Sequence, residues 1–562
     1  MLYDRATTAN NPGEKPKYLL LFGRGSFDNR KILTDSGDNL VLTYQADNSL
    51  NQVISYMTDD YFSLLNDNDG VDIAVNLMDA GVGRFPVTTV QQATNVVNKT
   101  IGYMNNSTKG YWKSNLCFLA DDGAYGYFAM HADSVAAVVE RTAPAFHINK
   151  VFMDTYQQQT SANGEFYPNA KTSLMNLFQS GLFMFNYTGF GAPTALTNEK
   201  IITDSIISGL TNQNLPLWFG ATSDFAKFDG KTVSAGEKVL LNPGGGGIGV
   251  LSATRPCYAS QNFNFNKAFC TNLFKKVNGT QLRMGDVISS AKNQLGSEIN
   301  KLSFVYLGDP AIKLNYPGSY NILTTRINNS TTFGTDTLKA LSANTIQGIV
   351  ANGNGNRVSG FNGNLHVELF DKIERISTLN NDKDAMGTPY VFSDRPVALY
   401  TGDVQVVDGA FSVSFKMPKD INLNFGTGRI IYYAQDDTNN NEAQGYFENF
   451  IVGGTDLKSG LDFPTGSNGF TVSNQPNPFS NQTRFVVGYS SPETVVNATV
   501  EIFDLSGRKI KSICQSSIDN LTWDLSTSSG GKANAGVYVY RVVLKTDTRN
   551  VSSGYNKLII ID

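Results

Sequence analysis

Two short segments carry the groups best placed for chemistry. Residues 186–191 (NYTGFG) and 221–225 (ATSDF) each follow an apolar run that predicts a buried strand. A thiolate in one segment, activated by an imidazole in the other, could attack a peptide bond. The sequence has Phe190 and Ser223 where such groups would stand. Each segment therefore looks like a catalytic motif whose reactive side chain is replaced.

Catalysis by Ser223 would require a base, because its hydroxyl is a weak nucleophile. Phe190 cannot supply one. The three histidines fall outside the two segments, in a predicted helix (His131), a predicted strand (His147) and a β-rich region (His366). We therefore expect a crevice that has the shape of a catalytic site without its chemistry.

The elements that must position these segments lie in residues 1–317. Apolar strand-like runs occupy residues 18–22, 116–120, 182–187, 215–221, 248–252 and 304–307. Amphipathic stretches such as 132–141 and 170–179 lie between them. Continuous apolar strands alternating with helices predict a mostly parallel sheet covered on both faces. Ligands bind such sheets beyond the carboxyl ends of the strands, where both segments would meet.

The pattern of apolar and polar residues changes after residue 317. Residues 318–452 show period-two alternation, as in 365–369 (LHVEL), and predict an antiparallel β-sandwich. Residues 453–474 are rich in Gly, Ser, Thr and Pro and are typical of a linker. Residues 475–562 return to short alternating strands and predict a compact immunoglobulin-like β-domain.

Composition excludes several function classes. The net charge of -4 over 562 residues gives no basic field, so nucleic-acid binding has no support. No apolar run is long enough to predict a transmembrane helix. The four cysteines form no CxxC pair, which argues against zinc and redox motifs. Cys117 lies within an apolar run and is expected to be a buried structural thiol.

Three weaker motifs have ordinary structural explanations. Residues 66–70 (NDNDG) crowd calcium-type oxygen ligands without the spacing of an EF-hand, so a solvated turn is favoured and the metal is left open. Asp121 and Asp122 follow a predicted strand and could act in function or form a turn. Residues 244–247 (GGGG) lack the Lys-Ser/Thr of a phosphate loop and predict close backbone packing.

A longer series of segments resembles the gingipain family of cysteine peptidases, and within it the PorU-type sortases of the type IX secretion system. The segments that carry the resemblance follow the order of the family. They are 18–30 (YLLLFGRGSFDNR), 58–62 (TDDYF), 83–87 (GRFPV), 120–123 (ADDG), 234–237 (SAGE), 254–255 (TR), 307–310 (LGDP), 361–363 (FNG) and 418–421 (PKDI).

The resemblance implies an α/β caspase-like fold with a mostly parallel sheet, followed by all-β immunoglobulin-like domains. It assigns the catalytic His to the position of Phe190 and the catalytic Cys to that of Ser223. The backbone of Gly191 would help to hold an oxyanion. The family's first loop has an acidic residue where this chain has Arg24, so three departures fall around one expected crevice.

The resemblance also implies partners and a location. Segments 475–479 (QPNPF) and 503–508 (FDLSGR) resemble the C-terminal domain of type IX cargo proteins. We therefore expect a protein of the cell surface or outer membrane of a Bacteroidota bacterium that binds cargo or secretion-system components. The first residues lack the apolar core of a signal peptide, so we expect upstream sequence that is lost or encoded separately. A structural calcium is expected as well, and no other cofactor.

The sequence is compatible with three functions. The first is a degenerate peptidase or transpeptidase that binds without cleaving. The second is an active cysteine-type endopeptidase or sortase that processes the C-terminal signals of secreted proteins, with Cys257 the first candidate for a relocated thiol. The third is a secreted scaffold or adhesin.

Overall fold

The computed structural model describes residues 15–456 with gaps at 34–35, 48–54, 106–107, 163, 319, 329, 332–333, 335 and 384–386. It also describes residues 470–561 except 490–492 and 506, together with residues 4, 5 and 8. The chain forms two compact units, residues 1–456 and 457–562.

The first part of the first unit alternates strands with helices. Its strands are β1 (Tyr18–Phe22), β2 (Tyr44–Gln45), β3 (Met57–Thr58), β4 (Gly81–Phe85), β5 (Asn115–Ala120), β6 (His147–Phe152), β7 (Gln159–Ser161), β8 (Gly164–Phe166), β9 (Met184–Thr188), β10 (Gly191–Ala192), β11 (Ala195–Leu196), β12 (Ile202–Thr203), β13 (Leu217–Ala221), β14 (Gly249–Ala253), β15 (Lys276–Val277), β16 (Thr280–Gln281) and β17 (Phe304–Leu307).

The α-helices of this part are α1 (Val90–Met104), α2 (Tyr127–Thr142), α3 (Pro168–Ser180), α4 (Asp204–Ser208), α5 (Ala235–Leu241), α6 (Ala259–Leu273), α7 (Met284–Asn293) and α8 (Asn300–Ser303). Short 3₁₀ helices occupy Asp60–Ser63, Tyr111–Ser114, Ala124–Gly126 and Met153–Thr155. Over the described residues, none of the helices is both long and apolar enough to cross a membrane.

Eight strands form the central sheet in the order β1-β4-β17-β14-β13-β9-β5-β6. Every neighbouring pair is parallel except β14 and β17. The mostly parallel sheet is thus confirmed. All six predicted strands belong to it, with ends shifted by up to two residues. The apolar pattern alone does not mark β4, because its buried Arg84 is paired with Asp59 at 2.7 Å.

Helices cover both faces of this sheet. Along β5, Leu116 and Phe118 point into one apolar core and Cys117 and Leu119 into the other. All four side chains are fully buried. Alternation between two apolar faces explains why the strand is a continuous apolar run. Cys117 is therefore the buried thiol that the sequence predicts.

The second part of the first unit is all-β. Its strands are β18 (Tyr320–Ile327), β19 (Thr337–Ala340), β20 (Ala343–Ala351), β21 (Gly363–Phe370), β22 (Glu374–Ser377), β23 (Val391–Asp394), β24 (Ala398–Val406), β25 (Ala410–Lys416), β26 (Gly426–Thr427), β27 (Arg429–Asp436), β28 (Glu442–Phe447) and β29 (Ile451–Thr455).

A seven-stranded sheet in the order β24-β21-β27-β28-β18-β20-β25 dominates this part, with a three-stranded sheet β19-β29-β26. Leu365, Val367 and Leu369 of β21 are buried in a single core, as the alternation predicts. The pairing is antiparallel except for β18–β28 and β19–β29.

The second unit is a small β-domain with its own core around Phe485, Trp523 and Tyr540. Its strands are β30 (Phe470–Gln475), β31 (Thr483–Tyr489), β32 (Val495–Phe503), β33 (Lys509–Gln515), β34 (Thr522–Trp523), β35 (Gly536–Thr546), β36 (Asn550–Ser552) and β37 (Asn556–Ile560).

The linker predicted over residues 453–474 is shorter at both ends. Its first residues belong to β29 and residues 470–474 to β30, because backbone pairing with neighbouring strands recruits these polar sequences. Residues 457–469 lie outside the described residues. The domain boundary at 317 stays a prediction, although the two large sheets separate between β17 and β18.

Candidate functional site

The two segments lie side by side at the carboxyl ends of two neighbouring strands of the central sheet. Strands β9 and β13 are parallel neighbours, with Thr188 paired to Ala221. Phe190 and Ser223 each lie two residues beyond this pair. The two segments are therefore neighbours, as predicted, whereas the crevice between them and the assignment of these two positions to a catalytic pair stay predictions.

Glycine allows the backbone of the two segments to approach closely. A Cβ on Gly191 would lie 2.3 Å from Thr222 Oγ1 and 3.0 Å from the Ser223 carbonyl oxygen. A Cβ on Gly189 would lie 2.3 Å from that of Asp121, which follows β5 on the other side. Real Cβ atoms do not approach so closely, so larger residues would force the strand ends apart.

Phe190 fills its position with an exposed aromatic ring. The ring packs edge-on against Phe128 with centroids 4.9 Å apart, and 46% of the residue is exposed. Its backbone N–H donates to Asp121 Oδ2 at 2.8 Å, and its carbonyl accepts from the Tyr187 hydroxyl at 2.5 Å. The segment is thus fixed by hydrogen bonds, but its side chain cannot exchange a proton.

Ser223 has a backbone partner instead of a base. Its Oγ accepts a hydrogen bond from the backbone N–H of Cys257 at 3.1 Å. The Cys257 thiol donates to the carbonyl of Arg255 at 3.3 Å. Burial, with the nearby Asp224 carboxylate adding to it, raises the pKa of Cys257 to about 12. A thiol with this pKa is protonated at neutral pH and is a poor nucleophile.

The histidines are engaged elsewhere. His131 on α2 stacks on Phe263 with centroids 4.4 Å apart. His147 and His366 both face Glu368 in the all-β part, at 3.2 and 3.5 Å. Within the described ranges, no hydrogen bond joins a histidine to Ser223 or Cys257. The sequence-based placement of all three outside the crevice agrees with this geometry.

Three carboxylates cluster beside the Phe190 segment. Asp121, Asp122 and Glu199 each offer an oxygen within 4.8 Å of the others. Burial, the neighbouring carboxylate and a hydrogen bond from it raise the pKa of Asp121 well above its usual range. Burial and then Asp122 raise the pKa of Glu199 to about 7. Carboxylate oxygens are ligands of hard cations, so these three residues could hold such an ion.

The sequence singles out Asp121 and Asp122 but misses Glu199. Asp122 accepts a hydrogen bond from the Tyr167 hydroxyl at 2.5 Å. Glu199 comes from the loop between β11 and β12, where the run TNEK has no motif character. Only the fold of that loop brings its carboxylate to the pair.

Arg24, the third departure, lies in a buried ion pair. Its Nε donates to Glu237 Oε1 at 2.7 Å and both side chains are almost fully buried. Glu237 also closes a capping box with Ser234 at the start of α5. Arg24 therefore joins the loop after β1 to the segment that follows β13, which is a structural role.

The two glycine- and asparagine-rich motifs are packing features. In the 66–70 loop, Asp69 accepts hydrogen bonds from the side chains of Asn66 and Asn76 at 3.2 and 2.9 Å. These contacts favour the turn, and a calcium ion there stays a prediction. Gly246 has φ +84°, and a Cβ would lie 2.2 Å from the Val239 carbonyl oxygen. Close packing of the glycine run is thus confirmed.

The sequence profile of peptidase family C25 matches residues 1–315, which is more than half of the chain. The chain belongs to peptidase family C25. The resemblance to the gingipain family is therefore confirmed, as is the α/β caspase-like fold with a mostly parallel sheet followed by all-β regions.

Solved structures similar to this C25 chain include gingipain R (RgpB), described as an Arg-specific cysteine proteinase, at 15% identity and TM-score 0.43 over 80% of this chain and 87% of that one. A complex of the Porphyromonas gingivalis RgpB pro- and mature domains gives 15% identity and TM-score 0.43 over 80% and 89%. Dimeric latent PorU from Porphyromonas gingivalis gives 22% identity and TM-score 0.31, and this chain spans only 59% of its length. No curated protein matches the chain.

Proposed function

We propose that this C25 protein is a sortase-like component of type IX secretion whose crevice binds a peptide segment and does not cleave it. One observation carries the proposal: Phe190 and Ser223 stand at adjacent strand ends, and no histidine contacts the Ser223 hydroxyl within the described part of the chain. Cleavage of an amide needs an activated nucleophile and a proton donor for the leaving amine.

The surface of the crevice supports retained binding. Exposed aromatic side chains follow three of the sheet strands: Tyr125 and Tyr127 after β5, Phe190 after β9, and Tyr258 after β14. Between 46% and 54% of each residue is exposed. Exposed aromatic side chains are frequent anchors for protein partners.

The partners we propose are cargo proteins or components of the type IX system. The resemblance of residues 475–562 to the C-terminal domain of type IX cargo supports this proposal. Location at the cell surface or outer membrane of a Bacteroidota bacterium belongs to the same proposal. A structural calcium ion is proposed as well, with no other cofactor.

Restoration of the two side chains tests the loss of catalysis. We expect the Phe190→His/Ser223→Cys double variant to react at residue 223 with a peptidyl chloromethyl ketone. The control is Ser223→Cys alone, which lacks the base and should react at least tenfold more slowly. Hydrolysis of unlabelled casein by the unmodified protein, or labelling of its Cys257, would overturn the proposal in favour of an active enzyme.

Peptide binding needs a separate measurement. We expect a phage-displayed library of random peptides to be enriched on the unmodified protein and not on a Phe190→Asp variant, because a charge replaces the exposed ring. The control is Tyr446→Asp, which changes an exposed aromatic residue of the all-β part. Equal enrichment on all three proteins would contradict binding in the crevice and favour a scaffold or adhesin.

A further inference from the structure

The two outer strands of the central sheet differ in what covers them. At one end of the sheet, β6 lies against the all-β part, where the Lys150 ammonium donates to the Ser393 carbonyl at 2.7 Å. At the other end, β1 pairs with β4 and with no other strand of the described residues. A strand in this position presents a row of backbone N–H and C=O groups to which another strand can bond. The uncovered side of β1 is therefore a candidate interaction surface.

The free side of β1 carries the backbone groups of every second residue. The Lys17 carbonyl accepts from β4 at one end of the strand, and the Gly23 N–H donates to β4 at the other end, each at 2.9 Å. Because alternate residues of a strand bond to opposite sides, the N–H and C=O groups of Tyr18, Leu20 and Phe22 face away from β4. Apart from the pairing with β4, no backbone hydrogen bond among the described residues reaches these three residues.

The side chains of β1 offer none of the usual protection of an outer strand. Residues 18–22 (YLLLF) contain no charge and no proline, and each of them is partly exposed. By contrast, β33, an outer strand of the second unit, carries Lys509 and Lys511. Charged side chains and proline on an outer strand prevent unwanted pairing, so their absence leaves β1 free to pair.

We propose that β1 binds β1 of a second copy of this chain in antiparallel register, with the twofold axis at Leu20. Leu20 then lies opposite Leu20 of the second copy, and Tyr18 lies opposite its Phe22. In each of these pairs the outward-facing groups of both residues meet, so the two residues exchange both of their N–H···O bonds. A shift by one residue would set outward-facing groups against groups that already bond to β4. The strand is thus self-complementary, as a twofold dimer requires.

The side chains that meet in this register are apolar on both faces of the joined sheet. On one face, Leu19 lies opposite Leu21 of the second copy. On the other face, Leu20 meets Leu20 and Tyr18 meets Phe22. Aromatic and aliphatic pairs across two antiparallel strands stabilise their association. Phe22 is 43% exposed in the single chain, so the pairing removes apolar surface from water.

The charges on either side of β1 also suit a second copy. Residues 15–17 (KPK), before the strand, carry two positive charges. Residues 28–40 (DNRKILTDSGDNL), after the strand, have three aspartates against one arginine and one lysine. This segment returns to the end of β1, since a Cβ on Gly23 would lie 3.1 Å from that of Leu40. Antiparallel pairing brings the basic end of one copy to the acidic end of the other, and opposite charges favour such an encounter.

The pairing fixes how the two candidate sites are arranged. A twofold axis between antiparallel strands reverses the direction of every strand from one copy to the other. The ends of β9 and β13, which carry Phe190 and Ser223, therefore point in opposite directions in the two copies. The dimer thus offers two separate sites on opposite sides of the joined sheet, and this arrangement holds whatever each site binds.

Hydrogen exchange of the full chain, resolved residue by residue at two protein concentrations, tests the pairing. The interface is one short strand with its flanking side chains, so we expect dissociation at roughly micromolar concentration. The amides of Tyr18, Leu20 and Phe22 should exchange about tenfold more slowly at ~100 µM than at ~0.1 µM. The amides of Leu19 and Leu21 bond to β4 and should exchange equally at both concentrations.

Sedimentation velocity over the same concentrations gives an independent readout. We expect the sedimenting mass to rise from that of one chain to that of two. Phe22→Lys places a charge within the paired strands and should keep the protein monomeric. The matched control is Val391→Lys, at a valine of β23 that is 42% exposed, and this variant should dimerise like the unmodified protein. Dimerisation of Phe22→Lys with unchanged affinity would contradict pairing through β1.

The unmodified protein alone can also overturn the proposal, so the test does not depend on the folding of a variant. A chain that stays monomeric up to ~100 µM would do so. A dimer in which the exchange of Tyr18, Leu20 and Phe22 is unchanged would place the contact elsewhere. Protection of these amides at every concentration would mean that another segment of the same chain covers β1. None of these results bears on peptide binding beside Phe190, so the two proposals fail separately.

Discussion

Buried carboxylates at two places in the first unit have pKa values shifted in opposite directions. In the crevice, Asp121, Asp122 and Glu199 face one another and their pKa values rise. At the junction between the central sheet and the all-β part, the Glu368 carboxylate faces the imidazoles of His147 and His366 and the Tyr111 hydroxyl. Its pKa lies below the usual range. Burial disfavours the charged form in both places, so the neighbours decide the outcome.

The comparison also bears on the proposed loss of catalysis. The protein has three histidines, and two of them lie against the Glu368 carboxylate of the all-β part. The strand ends pack closely and three carboxylates lie beside them, but none of the described histidines is hydrogen-bonded to Ser223.

Removal of the junction carboxylate should have the largest effect. Glu368→Ala leaves two imidazoles and a tyrosine hydroxyl without their partner, and we expect a loss of about 3 kcal/mol of unfolding free energy at pH 6. Guanidinium unfolding followed by tryptophan fluorescence measures it. The control is Glu165→Ala, at an exposed glutamate. Equal effects of the two changes would show that the cluster does not stabilise the unit.

The second-largest effect is expected where the ends of β9 and β13 approach each other closely. Gly191→Ala places a Cβ against Thr222 Oγ1, so we expect a loss of about 2 kcal/mol and weaker peptide binding in the crevice. Gly102→Ala on α1 is the control, because no atom lies within 4 Å of its Cβ and alanine favours a helix. A Gly191→Ala protein of unchanged stability would mean that the crevice is looser than described.

Removal of the charge of a crevice carboxylate should increase the free energy of unfolding. The raised pKa of Glu199 means that the folded state binds more protons between pH 4.5 and about 7, so stability falls as the pH rises through this range. Glu199→Gln should therefore be more stable by about 1 kcal/mol at pH 8 and unchanged at pH 4. Differential scanning calorimetry at both pH values measures this. Destabilisation at pH 8 would indicate that a cation neutralises the cluster.

The smallest effect is expected at the edge of the junction. Asp403 pairs with His366 Nδ1 at 2.8 Å, but its side chain is 59% exposed. Solvent screening limits such a pair, so Asp403→Asn should cost about 0.5 kcal/mol at pH 6 and almost nothing at pH 8. Calorimetry at the two pH values again measures the change. A larger loss at pH 8 than at pH 6 would contradict protonation of His366.

Much of the central sheet can be read from the sequence. Residues 304–307 match β17 at both ends, because a strand buried on two faces is a continuous apolar run between polar turns. Residues 18–22 match the half-buried edge strand β1 in the same way. Strand β4 escapes that pattern, since Arg84 is buried through its pairing with Asp59. The first residues of the predicted linker escape it too, because they pair with β19, which lies far earlier in the chain.

Some features of the candidate site can likewise be predicted from local sequence, and others depend on the tertiary structure. Local sequence determined that Phe190 and Ser223 follow buried strands and lack a base and a thiol, because side-chain chemistry and hydrophobic period are local properties. Only the tertiary structure placed Glu199 beside Asp121 and set His147 against Glu368. Those contacts join residues far apart in the chain, and their effect on each pKa depends on burial and neighbours that no local pattern contains.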